Sequence, residues 1–294
     1  MPLRHPLLPF LAAGAGIATF STMDALMKRA SGLAGVYDAL LWRNLAGALL
    51  GLPLWLAAGR GLPDAARLRV HLLRSAVVAA MALLFFWGLV RTPMAEAIAL
   101  SFIAPLIALY LAAAFLGETV RPQAIAASLL GIGGVGVIVL ARVTGPAADQ
   151  GSPAGVAAIL ASAVLYAGNL VLQRRQAQLA GPLEIAFFQS ALVGLLLVPA
   201  APWLAFAPSP PALVAIAAAA VLALLSLVLL SWGYARAEAQ ALVPIEYSAF
   251  VWAALMGWLV FGEAVTASTL AGAALIVLGC WIATRGPRAQ AELG

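Results

Sequence analysis

Ten apolar segments, each about 20 residues long, make up most of this chain of 294 residues. An α-helix needs about 20 apolar residues to cross a hydrocarbon core about 30 Å thick. Inside lipid a helix satisfies its own backbone hydrogen bonds. The pattern therefore predicts an all-α integral membrane protein with ten transmembrane helices. We place these helices at residues 7–29, 34–58, 71–91, 93–117, 121–142, 153–174, 182–204, 211–235, 237–262 and 266–284.

The composition excludes a water-soluble domain and several kinds of site. Hydrophobic residues form 64% of the chain and charged residues 9%, whereas a soluble domain carries about 25% charged residues. A single cysteine, Cys280, cannot form an intrachain disulfide, and two histidines cannot build a metal site. The sequence shows no pattern of catalytic groups at membrane depth. We therefore expect no enzymatic activity, metal, cofactor or nucleic-acid partner.

An internal repeat relates the two halves of the chain. A shift of 145 positions aligns "WGLVR" at 87–91 with "WGYAR" at 232–236. Similar shifts also align several polar residues: Glu118 with Glu263, Asp24 with Asn169, Lys28 with Gln173 and, one position further, Asp38 with Glu184. Each copy holds five predicted helices. Because five is odd, the second copy must cross the membrane in the opposite sense, as an inverted-topology repeat.

The distribution of basic residues predicts the orientation. With a cytoplasmic N-terminus, eleven Lys and Arg residues fall on the cytoplasmic side and four on the opposite side, which matches the enrichment of basic residues in cytoplasmic loops. The eleven are Arg4, Arg60, Arg67, Arg69, Arg74, Arg121, Arg174, Arg175, Arg236, Arg285 and Arg288, and the four are Lys28, Arg29, Arg91 and Arg142. We expect both termini in the cytoplasm.

The repeat and its motifs resemble the drug/metabolite transporter superfamily, in its ten-helix form with two EamA-type repeats. The features that carry the resemblance are the duplicated unit, the Gly-Glu after the fourth helix of each half, and the Gly-rich helices "SLLGIGGVGVIVL" and "AGAALIVLGCWI". The chain looks most like the bacterial exporters of aromatic amino acids and metabolites. The resemblance implies repeats at 1–144 and 153–294, joined by a periplasmic linker at 145–152 in the inner membrane.

The same resemblance implies export from the cytoplasm by alternating access through a central cavity. Inverted repeats favour this mechanism, because rocking one half against the other can expose a midplane site to either side. The expected partners are a small-molecule substrate and the lipid bilayer, and the expected carrier is a monomer.

Two glutamates, Glu118 and Glu263, follow the fourth helix of each half. Carboxylates are tolerated at a membrane boundary, and an anion near a helix N-terminus is favoured by the helix dipole. Thr119 and Thr266 are predicted N-caps of the helices that follow. We therefore interpret these glutamates as hairpin residues, with a gating role as the alternative.

Three ionisable residues lie within predicted spans: Asp24, Arg43 and Glu246. Such groups need a partner or a water-filled cavity. Asp24 and Arg43 lie at similar depth on neighbouring helices, which predicts either an ion pair or direct substrate contact. Glu246 lies two residues after Pro244, which can bend its helix toward a cavity, so Glu246 is either a substrate or proton contact or a buried hydrogen-bonded acid.

Polar and aromatic side chains near these residues complete the predicted site. Following the resemblance, we place the following residues around the cavity: Trp42, Ser101, Tyr166, Asn169, Tyr247 and Trp252. An acceptor for ammonium, donors for carboxylate and an aromatic wall suit a zwitterionic amino acid. Neutral and aromatic amino acids are therefore the first predicted substrates. Aromatic walls with one acid also suit hydrophobic cations, so multidrug efflux is the alternative.

Overall fold

The structure, a computed structural model, describes residues 7–59, 61–116, 122–144, 152–234, 236 and 245–284, and the regular elements in these ranges are helices. We number the α-helices in chain order. They are α1 (Leu8–Ala34), α2 (Val36–Ala57), α3 (Ala65–Leu89), α4 (Met94–Ser101), α5 (Ala104–Leu116), α6 (Pro122–Thr144), α7 (Pro153–Leu179), α8 (Pro182–Leu197), α9 (Ala201–Leu204), α10 (Pro210–Tyr234), α11 (Ser248–Phe261) and α12 (Ala267–Thr284).

Helices occur at all ten predicted positions. Seven stretches are long and apolar enough to cross a membrane, and three shorter apolar helices cover Ile125–Ala141, Ser248–Phe261 and Ala267–Ile282. The surface of the bundle exposes many large apolar side chains, such as Leu129 and Trp203. The chain is therefore an integral membrane protein, while the count of ten complete spans stays a prediction.

The third predicted helix begins earlier than its hydropathy indicates. α3 starts at Ala65 because Asp64 caps its N-terminus and accepts a hydrogen bond from the backbone N–H of Arg67 at 2.8 Å. That bond, with a second from the Arg67 side chain, holds the pKa of Asp64 below its usual range. The segment "DAARLR" is thus the first part of a helix, whereas the sequence indicated a loop.

The fourth predicted helix is broken into α4 and α5. Phe102 and Ile103 form a turn between them, and Pro105 follows in the first turn of α5. Proline has no N–H to donate to the carbonyl of Ser101, so the helical ladder is interrupted there. The carbonyl of the next residue, Phe102, accepts a hydrogen bond from Cys280 Sγ at 3.4 Å.

The ninth predicted helix is also interrupted, since Ile245 and Glu246 are helical and Tyr247 forms a turn. α11 begins at Ser248, after a turn at Tyr247. Phe102 and Tyr247 align under the 145-residue shift, and their rings meet edge to face with centroids 5.5 Å apart. The turns in the two related helices therefore face each other. Pro244, which the sequence marks as a bend, lies outside the described residues.

The most extensive helix contacts join one half of the chain to the other. α1 packs along α10 and α3 along α7, while α2 packs on α8 and α6 on α12. If each helix is replaced by its counterpart in the other half, the α1–α10 pair becomes the α3–α7 pair, and the α2–α8 and α6–α12 pairs stay the same. Two units related by a twofold axis have this property. The unit boundaries at 1–144 and 153–294 stay a prediction.

This packing corrects the expectation that the sequence halves rock against each other. Because the halves interleave, neither can move as a separate body. We group the helices that pack on α1–α10 and on α3–α7 into two units, and α4 of the second unit also packs on α11 of the first. We call α1, α10 and α11 the first bundle, and α3, α4, α5 and α7 the second bundle.

The repeated "WGxxR" motif has the same local structure in both halves. Arg91 lies over the ring of Trp87, 3.8 Å from its centroid, and donates to the Trp87 carbonyl at 2.9 Å. Arg236 lies over Trp232 at 4.3 Å and donates to its carbonyl at 3.3 Å. The motif is therefore a stacked arginine that closes the end of a helix.

Glycines allow α6 and α12 to touch through their backbones. A side chain added at Gly134 would place its Cβ 2.5 Å from the carbonyl oxygen of Gly272, and one at Gly279 would lie 2.5 Å from that of Ala127. Close approach through small residues is a common way for helices to associate in lipid. The Gly-rich helices α6 and α12 therefore pack through their backbones.

We expect Gly134→Val to destabilise the protein by ~1–3 kcal/mol, because a backbone carbonyl cannot move aside for the added side chain. Gly133→Val is the matched control, since none of the described atoms lies within 4 Å of a Cβ built there. Thermal unfolding in detergent measures both variants. Equal melting temperatures for the two variants would contradict this account of the α6–α12 contact.

Candidate functional site

A buried lysine connects three segments at one end of the molecule. Lys28, at the end of α1, is 7% exposed. Its Nζ donates to the carboxylate of Glu263 and to the backbone carbonyl of Thr92, the latter at 2.7 Å. The other oxygen of Glu263 accepts a hydrogen bond from the backbone N–H of Met94 at 2.7 Å. We call Lys28, Thr92, Met94 and Glu263 the Lys28 cluster.

The turn after α11 brings Glu263 into this cluster. Gly262 has a φ of 66°, a left-handed conformation that favours glycine. The Glu263 N–H donates to the carbonyl of Gly257 at 3.0 Å, so the turn folds back on α11. A Cβ at Gly257 would lie 2.7 Å from the carboxylate. Two glycines therefore make the turn and the space that Glu263 occupies.

The structure refines the sequence interpretation of Glu263. Thr266 caps α12 as predicted, accepting a hydrogen bond from the Thr269 N–H at 3.2 Å. The carboxylate of Glu263, however, binds the first N–H of α4 and not its own following helix. It joins the first bundle to the second. Glu118, its counterpart in the first half, lies outside the described residues, as does Thr119.

A cavity of about 510 Å³ opens beside the Lys28 cluster. The residues that line it come from α1, the α3–α4 connection and the α11–α12 connection: Lys28, Val90, Arg91, Thr92, Pro93, Phe261, Gly262, Glu263 and Ala264. The Lys28 ammonium also lies 5.0 Å from the centroid of the Phe261 ring. The closed ion pair thus forms part of the wall of an open, polar depression.

Four of the predicted site residues lie near enough to one another to interact through their charges. Tyr166 interacts electrostatically with Asp24 and Glu246, and Asp24 with Arg43. Asp24 is 3% exposed, whereas Tyr166 is 36% exposed. We call Asp24, Arg43, Tyr166 and Glu246 the central group. It comprises two acids, one cation and a phenol from α1, α2, α7 and the segment before α11.

The predicted ion pair between Asp24 and Arg43 does not form. The two side chains are not within the 4.0 Å that defines an ion pair. Arg43 Nη1 is instead 3.8 Å from the sulfur of Met23. Similar depth on neighbouring helices brought the charges near each other but not into contact. The alternative, direct contact with substrate, therefore stays a prediction for both residues.

Asn169 lies next to the central group but is held by an arginine that the sequence did not single out. Arg74 donates to Asn169 Oδ1 at 2.9 Å, to Gln173 Oε1 at 3.3 Å and to Gln176 Oε1. Arg74 also interacts electrostatically with Tyr166. A buried guanidinium is thus surrounded by amide oxygens from α7.

The sequence missed Arg74 because of the late predicted start of the third helix. With a start at residue 71, Arg74 counts as a cytoplasmic basic residue near a membrane boundary. With the start at Ala65, it lies nearly three turns into α3 and is buried. The cap at Asp64 was the available signal, since Asp followed by "AARL" is a favourable helix start.

The remaining predicted residues have different surroundings. Ser101, the last residue of α4, donates to the carbonyl of Ala97 at 2.8 Å. Tyr247 contacts Phe102 at the facing turns. Trp42 on α2 is 38% exposed and Trp252 on α11 is partly exposed. These side chains stay predicted site residues.

Comparison with known proteins places this architecture among membrane transporters. Residues 8–140 and again 153–285 match the EamA-like transporter family. A Pseudomonas aeruginosa protein named pseudopaline exporter is 30% identical over 273 residues, which cover 89% of this chain and 90% of that protein.

Two further curated relatives are named for other metabolites. A Brucella anthropi riboflavin transporter is 25% identical over 90% of this chain and 93% of its own length. A Rickettsia bellii S-adenosylmethionine uptake transporter is 24% identical over 89% and 88%. A solved crystal structure, 24% identical and covering 94% of this chain and 98% of its own, matches with a TM-score of 0.65, which shows the fold.

We expect Lys28→Gln and Glu263→Gln each to lower the free energy of unfolding by ~3 kcal/mol, because each leaves a partly buried charge without its partner. The double variant should lose less than the sum of the two single losses, since it removes both charges. Thermal unfolding of all four proteins in one detergent completes the cycle. Strictly additive losses would show that the two side chains do not interact.

Proposed function

The chain belongs to the EamA-like transporter family, and from that premise we propose that it exports small zwitterionic metabolites, with neutral and aromatic amino acids first among them. The family and the named relatives are transporters of small molecules, not enzymes. The relatives support transport of metabolites in general. The preference for amino acids comes from the central group.

The central group offers complementary contacts for a zwitterion. Asp24 and Glu246 can accept hydrogen bonds from an ammonium, and Arg43 can donate to a carboxylate. Tyr166 and Trp42 expose aromatic surface for an apolar side chain. Asn169 adds a polar group that Arg74 already orients. A phosphorylated solute would call for more cations than this group contains.

The single observation that carries the mechanism is the Lys28 cluster, which ties the first bundle to the second at one end. Lys28 and Glu263 belong to α1 and the end of α11, whereas Thr92 and Met94 belong to the start of α4. Under the predicted topology this is the periplasmic end. We therefore assign the structure to a state closed toward the periplasm, with release requiring separation of the bundles at this cluster.

The facing turns at Phe102 and Tyr247 support the same mechanism. Interrupted helices at corresponding positions of two repeats often mark a binding site and the place where helices bend. The turn at Phe102 follows α4 of the second bundle, and the turn at Tyr247 precedes α11 of the first bundle. These two helices are in contact, as are the two rings. The bundles can thus pivot there while the outer contacts of the Lys28 cluster open.

Multidrug efflux is the second candidate. It is favoured by the charge balance of the central group, which contains two acids and one arginine, and by the exposed ring of Trp42. A hydrophobic cation would use the acids and the aromatic surface without Arg43. Transport of hydrophobic cations but not amino acids would decide for this candidate.

We expect purified protein in liposomes to show counterflow of neutral and aromatic amino acids, since a carrier is accelerated by substrate on the opposite side. Glu246→Gln should lower the rate at limiting substrate about tenfold or more, because a hydrogen bond to a charged group contributes about 1.5–3 kcal/mol. Asp64→Asn, which changes an acid outside the predicted spans, is the control. Equal rates for Glu246→Gln and wild type would remove Glu246 from the site.

The orientation is tested separately by labelling. In a Cys280→Ala background, a cysteine at position 149 in the central loop should react with an impermeant maleimide added to intact spheroplasts, because the predicted loop faces the periplasm. A cysteine replacing Arg69 should react only after the membrane is opened. The reverse pattern would overturn the predicted orientation.

A further inference from the structure

A second buried cluster lies at the opposite end of α3. His71 and Glu184 are each 1% exposed. His71 Nε2 is 3.3 Å from Glu184 Oε1, and His71 Nδ1 is 2.7 Å from Gln176 Nε2. His71 lies about 30 Å along the helix direction from Thr92 at 1.5 Å per residue. It is therefore far from the Lys28 cluster.

The neighbours of His71 fix its protonation state and tautomer. A guanidinium can only donate, so Gln176 must turn its carbonyl oxygen toward Arg74 and its NH2 group toward His71. Nδ1 of His71 therefore accepts and carries no proton. The ring is neutral, and Nε2–H donates to Glu184. A proton on Nδ1 would point an N–H donor at the NH2 donor of Gln176, which is unfavourable.

One acceptor in this cluster remains open. Glu184 Oε2 is buried and has no hydrogen-bond partner among the residues that the structure describes. The cation nearest to the carboxylate is Arg67, whose Nη1 is 3.8 Å from Oε1. Arg67 is shared with Asp64, and Arg74 is the other charge that acts on His71. Among the described side chains, α7 presents the neutral Gln176 to His71.

The aromatic residues beside the cluster keep it out of water. Phe188, from α8, stacks on the His71 ring with centroids 5.0 Å apart. Trp55, from α2, packs edge-on against Phe188 at 5.4 Å. The carboxylate and imidazole thus lie between α8 and α3, with neutral side chains from α2 and α7 around them. A change in the charge of Glu184 or His71 is therefore not compensated by hydration.

We propose that Glu184 and His71 form the binding site of a coupling proton, so that the protein is a proton-linked antiporter. The proton comes from one aqueous phase, binds Glu184 Oε2 as an O–H and leaves to the other phase, and no other bond forms or breaks. This inference rests on the proposed transport function and adds the ion that drives it.

The hydrogen-bond chain connects this proton to the substrate site. Glu184 positions His71, His71 holds Gln176, Gln176 holds Arg74, and Arg74 holds Asn169 beside the central group. A neutral Glu184 attracts Arg67 and the imidazole N–H less strongly. The contact between α3 and α8 then loosens, and the partners of Arg74 rearrange. The proton at Glu184 and a substrate at the central group thus both change the stability of the same helix packing. Coupling between two sites requires such a shared element.

The proton site can be tested on purified protein without a substrate. Infrared difference spectra between high and low pH should contain the carbonyl stretch of a protonated carboxyl in wild type. Glu184→Gln should remove that band. Asp38→Asn is the matched control, because Asp38 is the aligned buried acid of the first half and accepts from the Phe206 N–H at 3.1 Å. Identical spectra for wild type and Glu184→Gln would overturn the proposal.

A second measurement needs no change in the cluster. The chain has two histidines, so a His5→Gln variant labelled with ¹⁵N-histidine gives imidazole signals from His71 alone. The expected signals are those of a neutral ring protonated at Nε2. A doubly protonated ring at neutral pH would contradict the proposal.

Transport then tests the coupling itself. In liposomes, an imposed pH gradient should drive wild-type accumulation of a transported amino acid. Glu184→Gln should retain counterflow at equal pH but lose gradient-driven accumulation completely, whereas Asp38→Asn should retain both. Gradient-driven accumulation by Glu184→Gln at the wild-type level would overturn the proposal. Failure of wild-type counterflow with every zwitterion would instead overturn the proposed function, while the spectra still decide the proton site.

Discussion

Hydrogen bonds between the two halves of the chain hold this bundle in its arrangement, because lipid offers no alternative partner for a buried polar group. Lys28 binds Glu263, Arg74 binds three amides of α7, and His71 binds Glu184, each across the two halves. The main helix pairs also cross between the halves. The polar contacts therefore fix how the two interleaved repeats meet, and any transport movement must exchange some of them.

The twofold arrangement carries different chemistry at its two ends. Asp24 and Lys28 on α1 align with Asn169 and Gln173 on α7, so charged side chains in one half correspond to amides in the other. Lys28 itself supplies the cation that pairs with the carboxylate of Glu263. Gln173 instead receives a hydrogen bond from the guanidinium of Arg74. A symmetric scaffold thus has an ion pair at one end and a network of amides around a buried arginine at the other.

The sequence predicted the helices because apolar length is a strong local signal, and the repeat predicted two related units, but neither indicated that the units interleave. It predicted individual contacts less well. Asp24 and Arg43 share a depth, but depth does not define the direction of a side chain, and no ion pair forms. Glu263 contacts a helix 169 positions earlier in the chain, at Met94, which local capping rules cannot indicate. Arg74 and His71 were missed because hydropathy placed the start of α3 too late.

The Lys28 cluster holds the two bundles together at one end, and the proposed mechanism requires it to open during transport. Pulsed electron paramagnetic resonance between spin labels at Leu33 and Ala154, both on exposed surface at that end, measures the separation directly in a Cys280→Ala protein. We expect a dominant short distance in the wild type that shifts toward a longer one in Lys28→Gln. A single distribution unchanged by Lys28→Gln and by substrate would contradict it.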